Sequence, residues 1–210
     1  MARHKFVVEL TVNEKVENIL TDIERQGWSV QENYFSISLI KKLNETLNTL
    51  QQQGDLKQAG IGREKKYHIE ESIRSDKISW FDNNQLNSAQ QEYLQLTQQL
   101  QDAFNQKFFL GLFELEIHFA LYAKGTFYKR HLDQHKNQDS RVLTLITYLN
   151  EDWREDEGGE LQLYLDNSET ISVLPQAGTL VCFMSAEFEH EVLPAKRERA
   201  SLTGWFRKRV

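Results

Sequence analysis

The hydrophobic pattern of this sequence changes period near residue 113. Before that point apolar residues recur at three- and four-residue steps, and after it they recur at every second residue. The first regime predicts amphipathic helices. Thr11 and Glu14 have capping-box spacing, Val16, Ile19, Leu20 and Ile23 then share a face, and Gly27 ends the run. Trp28-Ser29-Val30 follows as a short strand. A second helix over 38–53 carries the stripe Leu39, Leu43, Leu47 and Leu50 and ends at Gly54. A third over 88–105 carries Tyr93, Leu96, Leu100 and Phe104. These stripes read as core and need no functional role.

The second regime predicts strands over 113–122, 141–149, 160–165, 170–173, 179–184, 189–193 and 199–206. Turn signals divide them at Lys124-Gly125, Asn150-Glu151-Asp152, Gly158-Gly159, Asp166-Asn167 and Gln176-Ala177-Gly178. Many short strands with helices confined to the N-terminal half indicate a mainly β sandwich or barrel backed by helices. No repeat or linker divides the chain, and 210 residues suit a single domain: helical support over about 1–110 and a β core over about 111–210. Residues 54–84 fit neither regime. They include Gly60-Ile61-Gly62-Arg63-Glu64-Lys65-Lys66 and end in the strand-like Ile78-Ser79-Trp80, so a binding lid and a plain surface loop are both open.

Composition removes several function classes. With 40% apolar and 27% charged residues, neither a disordered nor a membrane chain is indicated. No apolar run reaches the roughly 20 residues that span a bilayer. Residues 1–10 alternate charge and apolar side chains and lack a signal-peptide core. The lone Cys182, inside Leu180-Val181-Cys182-Phe183, reads as a small buried hydrophobe, and the expected compartment is the reducing cytoplasm. A net charge of −6 argues against a general nucleic-acid binder, and Arg207-Lys208-Arg209 reads as a solvated tail.

Chemistry enters with His131-Leu132-Asp133 at an expected strand edge. Residues two apart in extended backbone point the same way, so imidazole and carboxylate converge. Alone this pair is a weak signal. His190, far downstream in a short strand, would complete two histidines and one carboxylate, the set that suits non-heme Fe(II) with open positions. A closed zinc site would want a fourth ligand; His135 is near in sequence but sits in a polar stretch and reads as exposed. Past His190 lies Arg199, on a strand whose alternation places Arg199, Ser201, Thr203 and Trp205 on one face. An inward arginine is costly unless an anion meets it. The dicarboxylate 2-oxoglutarate would serve, one end chelating iron and the far carboxylate reaching the guanidinium; a structural ion pair is the plain alternative. Tyr148, inward with Val142, Thr144 and Ile146, needs a partner for its hydroxyl, and the same carboxylate would provide it.

At these residues the sequence resembles the prolyl-hydroxylase-domain enzymes, which include the oxygen-sensing hydroxylases of animals and related bacterial proteins. The likeness runs through Tyr122, Tyr128-Lys129-Arg130-His131-Leu132-Asp133, Tyr148-Leu149-Asn150, Asp152-Trp153, Gly158-Gly159-Glu160-Leu161 and His190-Glu191-Val192-Leu193-Pro194-Ala195 to Arg199, Thr203 and Trp205. Upstream, Ile73-Arg74-Ser75-Asp76-Lys77-Ile78-Ser79-Trp80 also matches, with Ser75 where a glycine is usual. Coverage is roughly 28–206.

The resemblance implies a double-stranded β-helix, or jelly roll, with N-terminal helices on its major sheet. It implies one catalytic domain with His131, Asp133 and His190 as catalytic iron ligands and Arg199, Tyr148 and Thr203 at the 2-oxoglutarate carboxylate. Tyr122 and Leu161 would line that pocket. Arg74, Asp76, Arg141 and Trp205 would meet substrate, with Asp76 and Arg141 paired across the groove and the loop before Asp76 covering it. Fe(II), 2-oxoglutarate and O2 are the implied cofactor and co-substrates, ascorbate the supporting reductant. Implied partners are a protein bearing the target proline, with translation components such as elongation factor Tu as candidates, and neither nucleic acid nor membrane. The product would be trans-4-hydroxyproline, with succinate and CO2. His118 shares a face with Tyr122 and is read either as pocket-lining or as a core histidine.

Three rivals stand beside this reading. A nucleic-acid demethylase would carry a second arginine where Trp205 stands. A metal-binding cupin would need no 2-oxoglutarate. A sensor of oxygen or 2-oxoglutarate would bind without hydroxylating.

Overall fold

The structure, a computed structural model, describes residues 11–60, 70, 72–134, 140–165 and 168–209. Most of the loop expected before Asp76, the Asp166-Asn167 turn and His135 lie outside these residues.

Helix α1 (Val12–Gln26) opens with the Thr11–Glu14 capping box and closes at Gly27, whose φ of 79° is the left-handed conformation that glycine adopts without strain. Strand β1 (Trp28–Gln31) follows. Ser36 caps α2 (Ile37–Gln53), with Gly54 at its end. After β2 (Lys57–Gln58) and β3 (Lys77–Trp80), Asn87 caps α3 (Ser88–Phe108). The buried stripe of α3 departs from expectation at one step: Thr97 is buried where Leu96 was expected. Its hydroxyl is satisfied by the Tyr93 carbonyl at 3.2 Å.

The remaining strands are β4 (Leu112–Tyr122), β5 (Tyr128–His131), β6 (Arg141–Tyr148), β7 (Leu161–Tyr164), β8 (Thr170–Val173), β9 (Leu180–Met184), β10 (His190–Val192) and β11 (Arg199–Lys208). They form a major sheet in the order β1-β9-β6-β11-β4-β3-β2 and a minor sheet in the order β5-β10-β7-β8. Among the described residues the named strands pair antiparallel throughout, for example Arg199 opposite Tyr122 and Thr203 opposite His118. This is the jelly roll with helices behind it. Strand β11 continues to Lys208, so Arg207 and Lys208 are not a solvated tail; Arg207 is ion-paired with Glu114 at 3.4 Å.

Two apolar clusters follow from strand alternation. Leu143, Leu145, Cys182, Leu202 and Phe206 face the helices and pack with Leu39, Leu43, Tyr93 and Phe104. Ile146, Tyr148, Val181, Phe183, Ala120 and Tyr122 face the minor sheet and meet Leu161, Leu163 and Val192. Central strands are thus buried on both faces. Cys182 is fully buried, as its surroundings in sequence predicted, and burial pushes its thiol pKa up.

Candidate metal and anion site

Strands β5 and β10 place two histidines opposite each other: His131 and His190 are direct partners in the minor sheet. Asp133 follows β5 immediately. Ligand atoms of His131, Asp133 and His190 lie within 4.8 Å of one another. Each histidine Nε2 is 3.5 Å from a different oxygen of Asp133. The far ring nitrogens are held by backbone: His131 Nδ1 lies 2.7 Å from the Lys129 carbonyl and His190 Nδ1 3.2 Å from the Phe188 carbonyl. A carbonyl can only accept, so each Nδ1 carries the hydrogen and each Nε2 presents its lone pair to the common point.

Electrostatics favour the ligand forms of Asp133 and His190. Burial would raise the pKa of Asp133, but His190 and His131 outweigh it and hold the carboxyl well below the usual range. Burial pushes His190 down to about 4, against the pull of Asp133. Near neutral pH this gives a carboxylate beside an uncharged imidazole, both in ligand form. Tyr128 stacks on the His131 ring at 3.6 Å, and the Arg74 guanidinium lies 4.7 Å above Tyr128.

Arg199 is 1% exposed, the largest fully buried side chain among the described residues. Its Nε donates to the Gly159 carbonyl at 2.9 Å, while neither terminal nitrogen has a hydrogen-bond partner. Gly159 makes this possible: a Cβ there would come within 2.8 Å of Ala195 Cβ and 3.4 Å of Arg199 Cδ. Asn150 fixes the start of β11, accepting from the Ala200 amide at 2.7 Å and donating to the Ala200 carbonyl at 2.9 Å. The guanidinium carbon lies 5.1 Å from the rings of both Tyr122 and Tyr148. The Tyr148 hydroxyl is buried with no close hydrogen bond, and burial pushes its pKa up to about 12 despite the charge and the polar contact of Arg199.

A cavity of about 720 Å³ joins the metal cluster to Arg199. Residues 117–207 match the 2OG-Fe(II) oxygenase superfamily. A prolyl-4-hydroxylase of Pseudomonas putida is 42% identical, superposes with a TM-score of 0.85, and the match covers 92% of this chain and 99% of that one. The chain belongs to the 2OG-Fe(II) oxygenase superfamily. A Trichoplax adhaerens prolyl hydroxylase, solved with a hypoxia-inducible factor peptide fragment, is 25% identical with a TM-score of 0.83, over 94% of this chain and 90% of that chain. The hypoxia-inducible factor prolyl hydroxylase of Caenorhabditis elegans is 29% identical over 90% of this chain and 28% of its own length. The oxygenase therefore spans about a quarter of the length of the curated relatives it matches.

The residues fit the groups such an oxygenase holds. Two imidazoles and one carboxylate are the donor set for Fe(II), and the free end of a buried guanidinium is a match for a carboxylate. Of the sequence-predicted residues, His131, Asp133, His190, Arg199, Tyr122, Leu161, Thr203, Arg74, Arg141 and Trp205 all line the cavity. Tyr148 and Asp76 do not; Tyr148 is beside Arg199, its ring 5.1 Å from the guanidinium carbon.

The expected pair across the groove is replaced by two others. Asp76 is fully buried and held bidentately by Arg74, at 2.6 and 2.9 Å. Arg141 pairs with Glu116 at 3.3 Å and stacks on Trp205 at 3.5 Å. Arg74 wins Asp76 because residues two apart in extended chain share a side, whereas Arg141 would have to cross the groove. Glu116, Tyr128, Trp80 and Ser201 also line the cavity and were not singled out. Ser201 was visible from its shared face with Arg199, but Glu116 depends on a register that no local pattern fixes. His118 is buried between Trp80 and Trp205, with Nδ1 3.0 Å from the Phe119 carbonyl, and does not line the cavity. Burial, with Arg74 adding to it, pushes its pKa down to about 3.

No helix among the described residues is long and apolar enough to cross a membrane.

Proposed function

We propose that this chain is an Fe(II)- and 2-oxoglutarate-dependent dioxygenase that hydroxylates a prolyl residue of a protein substrate at the trans-4 position. The observation that carries this reading is the buried Arg199, whose two unpartnered amino groups share one cavity with the His131, Asp133 and His190 cluster. The solved prolyl hydroxylases that superpose on 92% and 94% of the chain support the substrate class.

In this reading 1–210 is one catalytic domain, and His131, Asp133 and His190 hold the metal through atoms that backbone carbonyls have already oriented. When bound, iron supplies activation of O2 coupled to decarboxylation of 2-oxoglutarate to succinate and CO2. Arg199 takes the far carboxylate of the co-substrate through two parallel N–H donors. Tyr148 and Thr203 offer hydroxyls to the same group, and Tyr122 and Leu161 wall the pocket. Burial strengthens these contacts by excluding water from them. At the mouth, Trp205 with its stacked Arg141, Arg74 with its partner Asp76, and the half-exposed Trp80 present aromatic and cationic surface to an extended peptide. Ascorbate is assigned the role of supporting reductant. Translation components, elongation factor Tu among them, are the first substrates to try; the sequence resemblance alone supports that choice.

The test begins with succinate release from 2-oxoglutarate by the metal-loaded protein with ascorbate. A His131→Ala protein then serves as bait for substrate, and captured proteins are mapped for hydroxyproline after treatment with the parent enzyme. Succinate release with a hydroxylated proline supports the proposal. Binding of 2-oxoglutarate without hydroxylation of any captured protein would instead support a sensor, and no 2-oxoglutarate binding would leave a plain metal-binding cupin.

A further inference from the structure

A carboxylate can give a metal one oxygen or two, and the surroundings of Asp133 bear on that choice. Thr144 on β6 is fully buried, and its hydroxyl lies 2.8 Å from Asp133 Oδ2 and 2.9 Å from the Ser185 hydroxyl. Ser185, just past β9, is fully buried as well. An ionised carboxylate only accepts, so the single hydroxyl hydrogen of Thr144 goes to Oδ2 and Ser185 must donate to Thr144. The two bonds run in one direction, and each polarises the next.

The turn that carries Asp133 is docked to the same place. The Gln134 amide donates to the Ser185 carbonyl at 3.3 Å, and Gln134 Nε2 donates to the Arg141 carbonyl at 3.0 Å. Packing alone does not call for a hydroxyl at residue 144. Its cross-strand neighbours are Phe183 and Trp205, and Val142 and Ile146 flank it on its own face. A buried hydroxyl costs more there than the methyl of valine unless it has a task.

We propose that Thr144, backed by Ser185, is a positioning residue that keeps Asp133 Oδ2 engaged, so that the metal takes Oδ1 alone and one more coordination position stays exchangeable. This inference rests on the reading of the cluster as an iron site.

The test uses metal-free parent, Thr144→Val, Thr144→Ser and Ser185→Ala proteins titrated with Co(II), followed by the visible ligand-field spectrum and by thermal melting. Thr144→Val is expected to weaken Co(II) binding by about 10- to 100-fold, the range typical for partners of metal ligands. Its spectrum is expected to change toward higher coordination number, and the melting temperature of the metal-free protein to fall only modestly, since Asp133 and Ser185 each lose one buried partner. Thr144→Ser is expected to restore affinity and spectrum, and Ser185→Ala to show a smaller loss. A Thr144→Val protein with parental affinity and spectrum overturns the proposal. So does a loss that serine fails to rescue and that follows a lowered melting temperature. Failure of the parent itself to bind Co(II) would overturn the underlying iron-site reading, a separate and distinguishable result.

Discussion

The two faces of the major sheet are built from the same strands and obey different rules. On β11, Ala200, Leu202 and Phe206 face the helices, whereas Arg199, Ser201, Thr203 and Trp205 face inward. On the helix side, buried polar groups find partners, as the Tyr93 hydroxyl does with Thr147 at 3.0 Å. On the inward side, Arg199 Nη1 and Nη2 and His118 Nε2 are buried without a close one, and the Tyr148 hydroxyl and Trp205 Nε1 have only the looser company of Arg199 and Asp133. Native proteins pair nearly all buried polar groups, so exceptions gathered on one face mark a surface shaped for something other than stability. One face holds the fold together, and the other is arranged for a ligand.

The largest expected effect on that contrast comes from Arg199→Ala. Removing one partner of a buried charge pair costs about 2–5 kcal/mol, roughly 30- to 5000-fold in affinity. Isothermal titration should show 2-oxoglutarate binding weakened by that factor, with Co(II) binding retained. The metal-free protein should melt no lower than the parent, because a buried cation without an anion has been removed. Unchanged 2-oxoglutarate affinity would break the assignment. Leu202→Ala, the helix-facing counterpart on the same strand, should do the reverse. A buried Leu→Ala change costs about 2–5 kcal/mol of stability, seen as a lower urea midpoint, with 2-oxoglutarate affinity of the folded protein unchanged.

His118 gives the inward face a pH signature. Its folded pKa of about 3 is depressed from the ordinary 6.5, so the native ring is neutral while the unfolded ring takes up a proton below 6.5. The stabilisation is therefore complete above pH 6.5 and is lost progressively as pH falls from 6.5 toward 3. One proton corresponds to a slope of about 1.4 kcal/mol per pH unit. His118→Leu should flatten the fall of the urea midpoint across that window. His190 shares the trend but is present in both proteins, so the difference isolates His118. Parallel profiles would show that His118 is not the group responsible.

What the sequence made legible follows the range of the interactions involved. The three helices were readable because caps and stripes are local: Thr11 with Glu14, Gly27 and Gly54 act within a turn. Inward alternation of Arg199, Ser201, Thr203 and Trp205 was readable for the same reason. The four-residue strand β5 was visible only as an edge, because exposed Lys129 and Arg130 interrupt any apolar pattern. Arg141 meets Glu116 through a cross-strand register that no local pattern fixes, whereas Asp76 is taken by Arg74 two residues away, a competitor that the expected pairing across the groove leaves out. Thr144 stood in the expected inward row, yet nothing local in sequence ties it to Asp133; that contact needs the turn after β5 to fold onto β6 and β9.

The finest test of the contrast lies in adjacent residues of β6. Thr147 and Tyr148 point to opposite faces, the first toward Tyr93 and the helices, the second toward Arg199. Tyr93→Phe removes a satisfied buried hydrogen bond and leaves the Thr147 hydroxyl without this partner. Stability should fall by about 1–2 kcal/mol with 2-oxoglutarate affinity unchanged. Tyr148→Phe removes a hydroxyl with no close hydrogen bond, the Arg199 guanidinium being its polar neighbour, so the metal-free protein should lose little stability. If that hydroxyl serves the co-substrate carboxylate, its loss should weaken 2-oxoglutarate binding by about 1 kcal/mol, roughly fivefold. Paired denaturation and titration curves for the two variants should therefore cross, one losing stability alone and the other affinity alone. If both variants lose stability and neither loses affinity, the inward hydroxyl is a packing feature and the division between the faces stops at Arg199.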